Sequence, residues 1–376
     1  MVAALILAAS IDGDAAFKAG DFAAAQSAYT AAIQTNPSDA DAALGLTRLS
    51  IYHNAIPDAQ HWLDVLERIA PDDTHIAANQ ATIAQRSDPT IDRVAPQHGP
   101  SMVKFVQTDP LPLVAVRVNG HTAHFLIDTG APNIVLDSTF AQSLGIATSN
   151  AGQGTFAGGK HAPTMKAVVD RLDLGGWRIS NVPASVLPLP AGFAGPTRVD
   201  GILGTALFAH FLTTLDYRNG WLILEDRNAS AAFERDAASK SATIVPMWLV
   251  GDHFVFVQAH ANNGPTGLFN VDTGGTFGVQ LTKDALAAAH IADATAHPQT
   301  GMGGGGAVTT LPFTASVSVG TCTVDNLAGL YFPQGNQYGI FPFTATGTVS
   351  HQFFRKTALT FDFVAMKLVI DTNPKI

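Results

Sequence analysis

The sequence contains little cysteine and little charge. Cys322 is the one cysteine among 376 residues, so the chain cannot form an intrachain disulfide. Its strand-like setting within residues 315–324 predicts a buried structural thiol and not a catalytic nucleophile. Charged residues make up 14% of the chain, and the net charge of −9 is scattered along it. Because neither sign forms a run, we expect no nucleic-acid partner and no basic membrane patch.

Long hydrophobic runs are also missing. No segment reaches the roughly 18 consecutive apolar residues that a membrane-spanning helix needs. Residues 2–9 are apolar or small and are similar to the end of a signal peptide, although the basic segment that usually precedes it is lacking. They are either a signal sequence with a clipped start or the beginning of the first helix. With the alanine-rich, bacterial type of composition, they lead us to expect export to the periplasm or the medium, with a cytoplasmic location as the alternative.

Helical repeats dominate the first part of the chain. Residues 10–86 have a helical apolar pattern, and two segments of it end at Pro37 and Pro71, 34 residues apart. The first segment resembles a tetratricopeptide repeat, because small and large residues fall at that family's positions. These positions are Gly13, Gly20, Phe22, Ala25, Tyr29, Ala32 and Pro37. The resemblance implies an all-α domain.

The number of repeats limits what this domain can do. Small residues such as Ala25 and Ala59 let paired helices approach closely, and each pair leaves an apolar face for the next pair to cover. Two repeats and a capping helix over residues 77–86 are short for a complete peptide-binding groove. Binding of a protein partner and a spacer or docking role therefore both stay open.

The chain then changes from a helical to a strand period. The proline-rich residues 87–100 are predicted to form a linker. Residues 101–226 and 242–376 alternate in the manner of strands, and the Asn-Gly pair at residues 119–120 is the strongest hairpin signal. Residues 227–241, which are rich in alanine, serine and charge, are predicted to connect two lobes.

Two acidic loops share one pattern. Asp128 lies in an Asp-Thr-Gly turn between apolar runs within residues 125–137, and Asp272 lies in the same setting within residues 268–281. A carboxylate between core strands is costly unless it is hydrogen-bonded or paired, and a lone aspartate could simply cap its own loop. The second copy instead predicts one site built from two carboxylates.

Matching spacings support an internal duplication. A Gly-apolar-apolar-Gly element ends at Gly204, which follows Asp128 by 76 residues. Its counterpart ends at Ser350, which follows Asp272 by 78 residues. Two similar elements at nearly equal distances from two identical turns indicate homologous lobes.

A glycine-rich segment follows each acidic loop, at residues 152–161 and 300–308. Glycine runs are common in unstructured surface loops, but the matched positions resemble those of the flaps that aspartic peptidases close over an extended peptide. The candidate flap and substrate-binding residues are Gly154, Thr155, Phe156, Gly301, Met302 and Gly303.

From residue 102 onward, these motifs resemble the aspartic peptidases. The Asp-Thr-Gly-Ala sequence and the glycine-rich flaps are similar to the retroviral branch, whereas two copies in one chain are similar to the pepsin-like branch. The resemblance implies an all-β bilobal acid-protease fold, a monomer whose lobes form an intramolecular pseudo-dimer, and catalysis without a metal or organic cofactor. It assigns catalysis to Asp128 and Asp272, and support of the dyad to Thr129, Gly130, Thr273 and Gly274.

The sequence departs from this pattern in the second lobe. Ser350 replaces the glycine of the second supporting element and is expected to crowd or alter that loop. Ala131 and Gly275 lack the hydroxyl that pepsin-like enzymes place after Asp-Thr-Gly, which predicts a milder pH optimum.

The function that the resemblance implies is aspartic endopeptidase activity on extended polypeptides. In such a dyad, one ionised carboxylate activates a water while its protonated partner donates to the scissile carbonyl. Two alternatives stay open. One is a catalytically inactive pseudo-peptidase that only binds peptides, and the other is an adaptor that works through its repeats.

Overall fold

A computed structural model describes most of the chain. The described residues are 12–97, 99–156, 159–291, 298–303 and 306–374. The apolar stretch at residues 2–9 lies outside them, as do the tips of both predicted flaps, at residues 157–158 and 304–305. None of the described helices is long and apolar enough to cross a membrane.

The helical part of the chain forms the first of two compact units. This unit comprises the chain up to Asp88 together with two later segments, residues 248–252 and 340–345. Its helices are α1 (12–19), α2 (Phe22–Thr35), α3 (Ala40–Tyr52), α4 (Ile56–Ile69) and α5 (Ile76–Ser87). The predicted all-α repeat region is therefore confirmed.

Local sequence explains these helices. Asp21 caps α2 and Asp39 caps α3, since each carboxylate accepts a hydrogen bond from a backbone N–H of the first turn. Close packing depends on glycine: a Cβ on Gly13 or Gly45 would lie 2.7 or 2.3 Å from the Tyr29 ring. Both helices can approach that ring only because these positions carry no side chain.

Two later segments of the chain complete the aromatic core of this unit. The Phe22 ring lies 5.4 Å from the ring of Trp248 and 5.1 Å from that of Phe343. Phe343 also contacts Phe17 and Tyr52, at centroid distances of 6.3 and 6.1 Å. Aromatic side chains of the helices thus pack against two segments that are distant from them in the sequence.

Polar contacts of Arg86 hold the segment at residues 248–252. The guanidinium of Arg86 donates to the carbonyl oxygens of Leu249 at 2.9 Å and Gly251 at 2.6 Å, and it also bonds to the carbonyl of Ile51. Burial lowers the pKa of Arg86 to about 10. Backbone carbonyls accept all three of these bonds, and two of the carbonyls belong to the segment.

The second unit is built almost entirely from strands. Those of its first half are β1 (Arg93–Val94), β2 (Ser101–Gln107), β3 (Leu113–Val118), β4 (His121–Ile127), β5 (Ile134–Asp137), β6 (Ser149–Phe156), β7 (Lys160–Leu174), β8 (Trp177–Leu187), β9 (Gly201–Leu203), β10 (Phe211–Asp216) and β11 (Trp221–Asp226). Those of its second half are β12 (Thr243–Val250), β13 (Phe254–Ala261), β14 (Gly267–Asp272), β15 (Val279–Leu281), β16 (Gln299–Gly303), β17 (Gly306–Val319), β18 (Cys322–Tyr331), β19 (Ala345–Ser350), β20 (Ala358–Asp362) and β21 (Lys367–Asp371).

Short helices interrupt these strands. They are α6 (Ser138–Ser143), α7 (Thr205–Phe208), α8 (Ser230–Ser239), α9 (Lys283–Ala288) and α10 (His351–Phe354). Two short 3-10 helices cover Arg227–Ala229 and Gln337–Ile340.

The two halves repeat one topology. In the first lobe, β3 and β4 form a hairpin, β5 runs parallel to β8 and antiparallel to β9, and β7 pairs with β6 and β8. In the second lobe, β13 and β14 form the hairpin, β15 pairs in the same way with β18 and β19, and β17 pairs with β16 and β18. The predicted all-β, bilobal fold is confirmed.

One antiparallel sheet joins the lobes. Its six strands run in the order β12–β21–β20–β10–β11–β2, so that three come from each lobe. At its centre the hydroxyls of Thr214 and Thr360 are 2.7 Å apart and are buried. The lobes are therefore held by backbone hydrogen bonds as well as by side chains.

Some elements differ from the local expectation. The predicted linker contains β1, where Arg93 and Val94 pair with Ser180 and Ile179 of β8. The predicted connection between the lobes contains α8, and Ser230 at its start donates to Asp362 at 2.6 Å. Sequence composition does not reveal such long-range pairing.

Phe343→Ala is expected to destabilise the helical unit. Because the Phe343 side chain is 5% exposed and contacts several rings, its loss should lower the free energy of unfolding by about 3–5 kcal/mol. Denaturant unfolding monitored by circular dichroism measures the effect. In the same segment, Ile340→Ala changes a 62% exposed side chain and should stay within about 0.5 kcal/mol of wild type. Equal effects of the two changes would contradict this account.

Candidate active site

Equivalent strands deliver the two aspartates. Asp128 directly follows β4, and Asp272 is the last residue of β14. The backbone N–H of Asp128 donates to the carbonyl of Leu203 in β9 at 3.0 Å. Strand β9 behind the first loop therefore anchors the turn that carries Asp128.

Two buried threonines interlock the loops. The backbone N–H of Thr129 donates to the Thr273 hydroxyl at 3.0 Å, and that of Thr273 donates to the Thr129 hydroxyl at 3.1 Å. Each hydroxyl then donates onward to the opposite lobe, from Thr129 to the Val271 carbonyl at 2.8 Å and from Thr273 to the Ile127 carbonyl at 3.0 Å. Both threonines are fully buried, so these bonds are shielded from water.

Glycine lets each loop lie against the carboxylate of the other. A Cβ on Gly130 would be 2.7 Å from the Asp272 carboxyl carbon, and one on Gly274 would be 2.2 Å from that of Asp128. The same glycines donate N–H bonds within their own loops, to Asp128 at 2.7 Å and to Asp272 at 2.8 Å. The structure thus brings together all six residues of the predicted dyad and its support.

The two carboxyl groups share a hydrogen bond and an unusual electrostatic environment. Burial raises the pKa of Asp128 well above its ordinary value, and the charge of Asp272 raises it further. Burial also raises the pKa of Asp272. Because two adjacent carboxylates cannot both ionise cheaply, the pair keeps one proton at pH values where separate carboxyls are ionised.

Ser350 leaves the backbone hydrogen bond to the Asp272 carboxylate intact. The bond from Gly274 to Asp272 matches the bond from Gly130 to Asp128 within 0.1 Å, at 2.8 and 2.7 Å. Ser350 is fully buried and its hydroxyl accepts a hydrogen bond from the backbone N–H of Gly275 at 3.1 Å. Ser350 therefore alters the hydrogen bonding of the turn without disturbing the bond from Gly274 to Asp272.

The first predicted flap is a hairpin beside the Asp128 loop. Gly154, Thr155 and Phe156 lie in β6 and pair with residues 160–162 of β7. Phe156 packs against a buried cluster that contains Ala131, three residues beyond Asp128. This contact places the flap next to the candidate dyad.

The second predicted flap has the same strand pairing. Gly301 pairs with Val308, Met302 with Ala307, and Gly303 with Gly306, between β16 and β17. The backbone is thus a hairpin at the equivalent place in the second lobe.

Residues behind the loops extend the predicted set. The hydroxyl of Thr205 donates to the Thr129 carbonyl at 2.8 Å. Tyr217 is 1% exposed, and burial together with the charge of Asp272 raises its pKa. A hydroxyl directly after the Gly-apolar-apolar-Gly element is a sequence signal for Thr205, whereas the proximity of Tyr217 depends on the fold.

His351 occupies the position of Thr205 in the second lobe. It is fully buried, and its Nε2 lies 3.3 Å from a carboxylate oxygen of Asp109. Arg355 also bonds to Asp109, and this contact lowers the pKa of that carboxyl. Within the described ranges, no three His, Cys, Asp or Glu side chains are grouped closely enough to hold a metal ion.

Comparisons with known proteins agree with this site. Residues 114–207 match the family model described as aspartyl protease, and residues 16–83 match the tetratricopeptide repeat model. Part of the chain is therefore similar to aspartyl proteases and another part to tetratricopeptide repeats, as the sequence predicted.

One solved structure that is similar to part of this chain is that of a retropepsin-like aspartic protease from Rickettsia conorii. It is 23% identical, with a TM-score of 0.27, and the match covers 35% of this chain and 91% of that chain. No curated protein matches the sequence.

Asp128→Asn is expected to stabilise the protein at neutral pH. Folding raises the pKa of both aspartates. The stability that these two carboxyls contribute is therefore fully present below the unfolded pKa of about 3.9, and it is lost as the pH rises through the raised values. In Asp128→Asn only the Asp272 carboxyl can still ionise, and it does so without the repulsion of a second carboxylate. The gain in thermal midpoint over wild type should therefore grow between pH 4 and pH 8. Asp226→Asn, at an exposed strand end, serves as the control, and a gain that is the same at both pH values would count against the shared proton.

Thr129→Val should loosen the link between the lobes. The change removes a buried hydroxyl and leaves the Thr273 N–H without its acceptor, which costs about 1–3 kcal/mol. Denaturant unfolding of the full chain measures the loss. Thr276→Val alters an exposed threonine of the second loop and should have little effect. Wild-type stability of Thr129→Val would refute the interlock.

Proposed function

We propose that the protein is an aspartic endopeptidase that cleaves extended polypeptides. The observation that carries this proposal is the pair of hydrogen-bonded carboxyls on two interlocked Asp-Thr-Gly loops, Asp128 and Asp272, with raised pKa values. The match of residues 114–207 to aspartyl proteases supports the same class.

The chemistry follows from the shared proton. The ionised member of the pair acts as general base on a water molecule, and the protonated member donates to the carbonyl oxygen of the scissile bond. Attack of the water oxygen on the carbonyl carbon gives a tetrahedral diol. Proton transfer to the leaving nitrogen then releases an amine and a carboxylic acid, so that the dyad returns to its starting charge.

The flaps are suited to an extended substrate. Hairpins β6–β7 and β16–β17 present strand edges, which recognise a peptide by backbone hydrogen bonds. The candidate contacts are Gly154, Thr155 and Phe156 in one flap and Gly301, Met302 and Gly303 in the other.

The proposal extends to assembly and location. Both aspartates come from one chain, which supports a monomer whose lobes form an intramolecular pseudo-dimer. The repeats offer a protein-interaction module for a partner, and export to the periplasm or the medium stays a prediction from the sequence.

Either Asp128→Asn or Asp272→Asn should lower peptidase activity at least about 100-fold, because each removes a general acid or base. The assay uses the full chain and an unstructured protein substrate between pH 3 and pH 8, with a statine-type inhibitor as a second test. Asp226→Asn, at an exposed strand end, should keep wild-type activity.

Each outcome of this assay separates the candidate functions. Equal cleavage by wild type and both dyad variants would exclude the proposed mechanism. Inhibitor binding without cleavage at any pH would favour the pseudo-peptidase, and the absence of both would favour the repeat-based adaptor.

A further inference from the structure

The two supporting elements occupy equivalent places but end in different residues. In the first lobe, Gly201 of β9 pairs with Leu136 of β5. In the second lobe, Gly347 of β19 pairs with Leu281 of β15 in the same antiparallel sense. Counting along each element from these pairs makes Ser350 the structural counterpart of Gly204.

The first lobe has no room for a side chain at this position. A Cβ on Gly204 would lie 2.2 Å from the carbonyl oxygen of Asn133 and 2.6 Å from that of Ala131. These are backbone atoms, which cannot rotate away. The first lobe therefore needs glycine at residue 204, and it carries its side chain on the loop, at Ala131.

The second lobe has the reverse arrangement. Here the loop residue is Gly275, and a Cβ on it would lie 2.7 Å from the hydroxyl oxygen of Ser350 and 2.5 Å from the Phe277 ring. In this lobe the loop residue has no side chain, and the residue of the supporting element has one. Gly275 and Ser350 are therefore complementary, and the absence of one side chain makes room for the other.

The hydroxyl of Ser350 also changes how the turn closes. In the first lobe the N–H of Ala131 donates directly to the carbonyl of Asp128, at 3.2 Å. In the second lobe the N–H of Gly275 donates to the Ser350 hydroxyl, and that hydroxyl lies within hydrogen-bond distance of the carbonyls of Asp272 and, at 2.9 Å, of Gly275. One hydroxyl can accept and donate at once, so it bridges the two ends of the turn.

We propose that Ser350 is a positioning residue for Asp272. Its hydroxyl holds the turn between Asp272 and Gly275, and this turn aims the Asp272 carboxyl at Asp128. The inference rests on the proposed peptidase function, because positioning matters for catalysis only if the dyad is catalytic. It assigns Ser350 no contact with substrate.

Hydrogen exchange tests the turn without reference to activity. In Ser350→Ala the amide of Gly275 loses its acceptor, and we expect exchange in the segment from Asp272 to Gly275 to become at least about tenfold faster, the effect of one lost buried hydrogen bond. Ser230→Ala is the matched control. It removes another buried serine hydroxyl, bonded to Asp362, and should leave this segment unchanged.

Kinetics on the full chain separate positioning from a structural role. Ser350→Ala should lower kcat about tenfold with little change in KM, and it should shift the pH profile of kcat, since the environment of one carboxyl changes. A serine that only fills space would change the thermal midpoint but not this profile. Ser230→Ala should reproduce the wild-type profile.

A double variant keeps the test sharp if single changes harm folding. Gly275→Ala alone should be damaging, because the new methyl group meets the Ser350 hydroxyl. Ser350→Gly removes the contact with the hydroxyl, although the methyl group still meets the Phe277 ring, so the double variant should be more active than Gly275→Ala alone.

The possible results are distinct. Unchanged Gly275 exchange in Ser350→Ala would overturn the proposal. If wild type cleaves nothing but Ser350→Ala exchanges faster, the peptidase function fails while the role of Ser350 in holding the turn is supported.

Discussion

Two carboxyl groups that must lie together, largely out of water, constrain the rest of this structure. Their mutual repulsion and their burial both disfavour ionisation, which the raised pKa values express. The buried threonine interlock opposes separation, because the loops cannot part without breaking four hydrogen bonds. Both hydroxyls have a donor and an acceptor as partners, so the interlock leaves no hydroxyl unsatisfied.

Duplication is the means by which the chain meets this constraint. The joint sheet takes three strands from each lobe and has β10 and β20 at its centre. A near-twofold arrangement then presents two identical turns to each other, so that the glycine of one turn faces the aspartate of the other. Sheet pairing sets the distance between the lobes, and the interlock refines it. The geometry of the site is therefore a property of the whole second unit.

Local sequence predicts the parts of this design that are encoded locally. The Asp-Thr-Gly turns, their spacing to Gly204 and Ser350, and the Asn-Gly hairpin are short patterns, and each lies where it was expected. Long-range partners are not encoded in this way. Nothing in the composition of residues 340–345 indicates that Phe343 packs with Phe17, and the space available to Ser350 is decided by a residue 75 positions away.

The same reasoning explains how the lobes can differ while the dyad stays intact. If both halves were identical, a serine at the position of Gly204 would have to fit beside Ala131 as well, where backbone oxygens fill the space. In a single duplicated chain, the second lobe can exchange both residues together and keep its Gly274 to Asp272 bond. The two aspartates then accept matching hydrogen bonds from their glycines, but the supporting elements behind their turns differ. A substitution at residue 350 therefore acts directly on the Asp272 turn only. It can distinguish the role of Asp272 from that of Asp128, although both residues lie in the same Asp-Thr-Gly motif.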